Sequence, residues 1–300
     1  MRNLLSTKDQ RQLRLMETLI QHRDWLKLHE LADKLGCTER ILKSDLNELR
    51  AAFPTIDIQS SVNGIMIDLE VNTSVEDIYQ YFLAHSQSFQ LLEYLFFNEG
   101  LPIYRTIENL HSSNANLYRL GRNITKTLST QFQIELSFTP SEIRGNEIDI
   151  RYFFAQYFSE RYYFLDWPFP DLPEEDLTEF ADFFYKITNY PMRFSIYRMY
   201  KMMIAISIYR IKSGHFVDLP NHFNDEYYPL LMSIPNFEEI LVHFSEKLGL
   251  EITPDIIAQI FISFIQNNLF LDPQEFFNSL EENSEARYSY QLLSQILERL

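Results

Sequence analysis

Apolar residues recur at helical spacing through the first fifty positions. Leu13, Leu15, Met16, Leu19 and Ile20 share one face of a predicted helix running to about Asp24. Leu28, Leu31, Ala32 and Leu35 follow at i, i+3, i+4 and i+7, and Gly36 stands where a left-handed C-terminal cap costs glycine least. Thr38 reads as the N-cap of a third helix, with Leu42, Leu46, Leu49 and Phe53 inward and Pro54 as its stop. The spacing then changes to two. Ile56, Ile58 and Ser60 alternate, Asn63-Gly64 interrupts, and Ile65, Ile67 and Leu69 alternate again, which is a hairpin signature.

Helix, short helix, glycine turn and third helix is the helix-turn-helix plan, and the hairpin behind it would be a wing. Thr38, Glu39, Arg40, Lys43, Ser44 and Asn47 then fall on the outward side of the third helix, with Asn63 at the wing turn. Such side chains reach base edges and phosphates when a helix lies in the major groove. Cys37, in the turn, has no strongly positive neighbour in the sequence and reads as a small core-facing residue, not a redox sensor.

The plan repeats about 75 residues later. Val75, Ile78, Tyr79 and Phe82 predict one helix, and Phe89, Leu92, Tyr94, Leu95 and Phe96 a second, ended by Gly100. Ile103, Ile107 and Leu110 mirror Leu28, Ala32 and Leu35. Leu117, Ile124 and Leu128 mirror Leu42, Leu49 and Phe53, with Gly121 in the place of Leu46. Ser112-Ser113-Asn114 takes the turn and cap. The outward face would hold Asn114, Asn116, Tyr118, Arg119, Arg122, Asn123 and Lys126. Ile134, Leu136 and Phe138, a Thr139-Pro140-Ser141 turn, and Ile143, Ile148 and Ile150 predict a second, longer wing with Arg144-Gly145-Asn146 near its tip or return strand. An internal repeat is stronger evidence than either copy alone.

Beyond Trp167-Pro168-Phe169-Pro170 the pattern is helical throughout. Glu174, Glu175 and Asp176 open one helix. Arg193 to Lys212 forms a long one, apolar on most faces and ended by Gly214. Phe237, Ile240, Leu241 and Phe244 form another, ended by Gly249. Thr253-Pro254 starts a helix over Ile256 to Leu269, and Ser289 to Leu300 is predicted helical to the last residue. The expected fold is mainly α: two tandem winged helix-turn-helix domains, 1–72 and 73–165, followed by an all-helical domain, 166–300.

Composition refines this picture. The 300 residues carry a net charge of −16, which opposes nucleic acid at first sight. The charge is uneven, however. Residues 1–53 hold 10 basic and 8 acidic groups, and residues 101–133 hold 4 and 1, whereas residues 166–300 hold 9 and 21. The acidity therefore belongs mostly to the C-terminal part, and an N-terminal DNA surface stays compatible with it.

One cysteine and seven histidines, none spaced i, i+4, offer no metal cluster. There is no phosphate-cradling glycine loop or nucleophile elbow, so neither an enzyme nor a cofactor is expected. The longest charge-free apolar stretch, Ile256 to Leu271, falls short of the ~18–20 residues that span a bilayer. With no secretory signal, the expectation is a cytoplasmic protein without membrane contact.

His29-Glu30-Leu31-Ala32-Asp33-Lys34-Leu35-Gly36-Cys37-Thr38-Glu39-Arg40, with Leu46-Asn47-Glu48-Leu49-Arg50, resembles the first DNA-binding domain of Mga-type transcription regulators. Ile143 to Glu147, continuing through Arg151-Tyr152-Phe153, resembles that family's second helix-turn-helix. The part from Phe244 to Ile265, beginning Phe244-Ser245-Glu246-Lys247-Leu248-Gly249, is similar to the middle of a phosphotransferase-system regulatory (PRD) domain. The resemblance implies a virulence-type transcription activator that binds double-stranded promoter DNA, forms a homo-oligomer and responds to a phosphotransferase phosphocarrier protein.

Such regulators usually continue into further C-terminal domains, so the chain reads as a fragment or a short form. Related antiterminators place a histidine seven residues before an arginine matching Arg210, but Met203 stands there. His215, which follows the Gly214 cap, is the phosphorylation candidate instead. The competing reading is a protein-interaction or dimerisation module with vestigial winged helices.

Overall fold

The computed structural model describes residues 1–22, 24–69, 74–162, 166–188, 194–219 and 236–266. The helix expected over Ser289–Leu300, the end of the one expected over Ile256–Leu269, and His222 lie outside them. The chain divides into two units, Met1–Arg144 and Gly145–Leu300.

The first unit opens with a short 3-10 turn at Arg2–Leu4 and helix α1, Thr7–His22. Helices α2 (Leu28–Lys34) and α3 (Glu39–Ala52) follow. Gly36 turns at φ +62°, and the amides of Gly36 and Cys37 bond back to the carbonyls of Asp33 and Ala32. Leu13, Leu31, Leu42, Leu46 and Leu49 are all buried, so the periodicity marks the core.

Strands β1 (Ile56–Ser61) and β2 (Gly64–Leu69) pair antiparallel from Ile56↔Leu69 to Ser61↔Gly64. The turn residues are therefore Val62-Asn63, not Asn63-Gly64. Gly64 takes the positive φ, +131°, and its α-carbon lies against the backbone of Leu26, which bridges Ile65 as a third edge.

The second copy runs α4 (Val75–His85), α5 (Gln87–Phe97), α6 (Ile103–Asn109) and α7 (Asn114–Leu128). Its wing is β3 (Glu135–Phe138) paired with β4 (Ser141–Arg144). The wing is shorter than the sequence pattern suggested. Ile148 and Ile150 do not return in a strand; they lie in α8, Glu147–Arg161. Asn146, expected near the wing tip, is the N-cap of α8, its Oδ1 accepting from the amides of Ile148 at 2.9 Å and Asp149 at 3.3 Å. With Glu147 and Asp149 in the first turn, capping and the helix dipole favour the helix there.

The second unit contains α8, α9 (Glu174–Thr188), α10 (Phe194–Lys212), α11 (Phe237–Leu248) and α12 (Pro254–Gln266). Helix α10 packs against α8, α9 and α12, and Met202 through Ile206 are wholly buried along it. Helix α8 opens the second unit and packs against α10 and α12. Gly249 caps α11 at φ +57°, and the Thr253 hydroxyl caps α12 by accepting from the Ile256 amide at 3.2 Å.

Candidate nucleic-acid interface

Helix α3 is held from behind and open in front. The Thr38 hydroxyl accepts from the Ile41 amide at 3.3 Å and fixes where the helix begins. Behind it, the buried carboxylate of Asp45 receives Arg11 Nε at 2.6 Å, Arg11 Nη2 at 3.1 Å and Gln12 Nε2 at 3.0 Å, which ties α3 to α1. In front, Thr38, Glu39, Arg40, Lys43, Ser44 and Asn47 are all exposed. At about 100° per residue, Arg40, Lys43, Ser44 and Asn47 occupy one side of the helix. Lys43 and Glu39 approach to 3.9 Å, both exposed, a pairing too weak to withhold the lysine from a phosphate.

The first wing is fixed to this helix by Arg50. Its Nε donates to the Ile58 carbonyl at 2.9 Å, Nη1 to Asn47 Oδ1 at 3.3 Å, and Nη2 to the Ser60 hydroxyl. Asn63 is exposed at the wing turn beside Val62, which is 96% exposed.

Helix α7 repeats the arrangement. The Ser113 hydroxyl accepts from the Asn116 amide at 3.2 Å. Leu117, Ile124 and Leu128 are buried, while Asn114, Tyr118, Arg119, Arg122, Asn123 and Lys126 are exposed. Gly121 leaves room for the wing: a β-carbon there would stand 2.5 Å from the Phe138 ring. Tyr118 meets the same ring edge-on, with centroids 5.2 Å apart, and the Thr125 hydroxyl accepts from the Leu136 amide at 3.0 Å. The α7 face carries three cations and no acid.

Asn116 departs from the expected set. It is half-buried; its Nδ2 donates to Ser112 Oγ at 2.9 Å and its Oδ1 accepts from Arg119 Nη2 at 2.7 Å. It therefore orients Arg119. The positioning residues Arg11, Asp45, Arg50 and Thr125 were not singled out from the sequence. Asp45, an acid on the apolar arc between Leu42 and Leu49, was the signal available.

In the helical unit, Arg151 and Arg210 are buried around Glu147. Arg151 Nε lies 2.9 Å from Oε1, and Arg210 Nη2 lies 2.7 Å from Oε2. Burial pushes the Arg151 pKa down, and Glu147 opposes that shift. Arg151 also donates to the His215 carbonyl at 3.1 Å, while the His215 amide caps α10 by donating to the Arg210 carbonyl at 2.9 Å. His215 is half-buried, and Met203 is fully buried. Among the described residues no helix is long and apolar enough to cross a membrane.

Three family models match the chain. The helix-turn-helix domain of the M protein trans-acting positive regulator (MGA) matches residues 6–65, the Mga helix-turn-helix domain residues 71–158, and the MGA PRD domain residues 173–300. A Streptococcus pneumoniae protein named as a candidate trans-acting regulator is 40% identical over 301 residues, covering 100% of this chain and 61% of that protein. The capsule synthesis positive regulator AcpA of Bacillus anthracis is 24% identical over 293 residues, covering 93% of this chain and 59% of that protein. The chain thus spans about three-fifths of the length of these relatives. Both winged modules and the helical unit fall under models of one family, and the chain belongs to the Mga-type transcription regulators.

Proposed function

We propose that the chain grips duplex promoter DNA through both winged modules and activates transcription. The observation that carries this reading is the doubled arrangement: two capped helices, each backed by a core and followed by a wing, each turning exposed cations and amides outward. Arg, Lys, Asn and Ser supply the phosphate and base-edge contacts that such helices use. The activator sign rests on the name of the Bacillus anthracis relative. Footprinting on genomic fragments tests the reading: discrete protected sites are expected, and protection no different from that by the helical unit alone would overturn it.

Regulation by phosphotransferase status, through a phosphocarrier protein and a homo-oligomeric assembly, completes the proposal. His215 is the acceptor we assign. It sits one residue past the Gly214 cap, half-exposed, with its backbone locked between Arg210 and Arg151. A phosphate there would add negative charge at the α10 C-terminus, where the helix dipole disfavours it, and so would alter local packing. Incubation with phosphoenolpyruvate and the general phosphotransferase proteins, then mass spectrometry preserving phosphohistidine, should label wild type and not His215→Ala. Label unchanged in His215→Ala would remove this residue from the mechanism.

A further inference from the structure

Within Met1–Arg144 a cleft of about 560 Å³ opens between the amino-terminal segment, the α4–α5 junction and one side of α7. Helix α5 begins in it. Ser86 is the N-cap, yet its hydroxyl accepts no bond from the helix, so the Gln87 and Ser88 amides keep no intrahelical partner. Ser86 is 3% and Ser88 9% exposed, both line the cleft, and among the described residues neither hydroxyl has a hydrogen-bond partner. Neither oxygen is among the sealed, unpartnered side-chain atoms of the described residues, so both hydroxyls open onto the cleft, where a ligand can reach them. Arg119 also lines the cleft, its guanidinium oriented by Asn116. The carboxylate among the described lining residues, Asp9, is already engaged by the Ser6 hydroxyl at 2.8 Å.

We propose that this cleft binds a phosphate group, received by the α5 N-terminus, the Ser86 and Ser88 hydroxyls and Arg119. The Gln87 and Ser88 amides at a helix N-terminus, two cleft-lining hydroxyls and a guanidinium are together the donor set that phosphate oxygens require. The volume exceeds a bare phosphate and matches a small phosphorylated compound. A phosphodiester of bound DNA shares the same chemistry. Because α7 contributes both to the cleft and to the proposed DNA face, an occupant here would bear directly on that helix.

The test is thermal unfolding of the full chain in inorganic phosphate against chloride at matched ionic strength, with no DNA present. Its failure is therefore separate from failure of the DNA reading. General phosphate exclusion raises stability without saturating, whereas a site saturates. A saturable rise is expected in wild type, with a midpoint on the order of a millimolar. In Gln87→Glu and Arg119→Gln the midpoint should rise at least about tenfold. Gln87→Glu keeps the fold, since an acid in the first turn favours the helix while repelling an anion. A non-saturating rise, or equal midpoints in all three proteins, would overturn the proposal. Given saturation, displacement of ribose 5-phosphate by duplex DNA identifies the occupant as backbone phosphate, and simultaneous binding identifies it as a small ligand; either result upholds the site.

Discussion

Gly64 shows how one residue sets the place of a wing. A β-carbon there would stand 2.1 Å from the Leu26 carbonyl oxygen and 2.6 Å from its carbon, both backbone atoms that cannot give way cheaply. With φ at +131° as well, Gly64→Ala should destabilise the chain by about 2 kcal/mol or more, read by denaturant unfolding. A loss within ~0.5 kcal/mol would contradict the close approach. Gly121 differs in kind, because its neighbour is the Phe138 ring. Gly121→Ala should destabilise, and Phe138→Leu in the same chain should recover part of the loss in a double-mutant cycle. Neither requirement was legible in the sequence, where Asn63-Gly64 pointed only to a turn and Gly121 only to a missing leucine. Contacts between distant segments decide both. Cys37, expected to face the core, is half-buried in the α2–α3 turn, where burial raises its thiol pKa against the pull of Arg11. Iodoacetamide should therefore modify it more slowly in the native chain than in denaturant at pH 7.5, and faster native modification would contradict that reading.

At the scale of elements, the α1–α3 bracket gives a pH dependence. Lys8 and Gln12 hydrogen-bond the Glu48 carboxylate and hold its pKa below the ordinary range. A depressed carboxylate contributes stability above its unfolded pKa, near ~4.3, and that contribution is lost as pH falls through the folded value. Glu48→Gln should therefore lower the unfolding midpoint slightly at pH 7, with the difference closing below about pH 4. A difference that persists at pH 3 would assign the effect to packing. Most helices were legible because periodicity, caps and glycine stops agreed, as at Thr38, Gly36, Gly214 and Thr253. The second wing was not, because Ile143, Ile148 and Ile150 satisfy an alternating pattern while Asn146, Glu147 and Asp149 satisfy a helix start. The capping bonds decide in favour of the helix. The outward faces of α3 and α7 followed from the same periodicity. Only Asn116 departed, since its pairing with Ser112 and Arg119 depends on turn geometry.

Across the whole molecule charge is divided by unit. Residues 1–144 carry 15 basic and 18 acidic groups, a balance of −3, and residues 145–300 carry 11 and 24, a balance of −13. The first unit nevertheless places exposed cations on two helix faces, and the acid Asp45 is buried behind the first of them. Net charge alone is thus a poor guide to what this chain touches. The central claim, that both faces meet DNA phosphates, is tested most directly by fluorescence anisotropy on a promoter duplex at several salt concentrations. The comparison is wild type with Arg40→Ala/Lys43→Ala and Arg119→Ala/Arg122→Ala. Each double variant should bind more weakly and lower the log–log salt slope by about one unit per lost phosphate contact. Affinity and slope unchanged in both double variants would contradict the account.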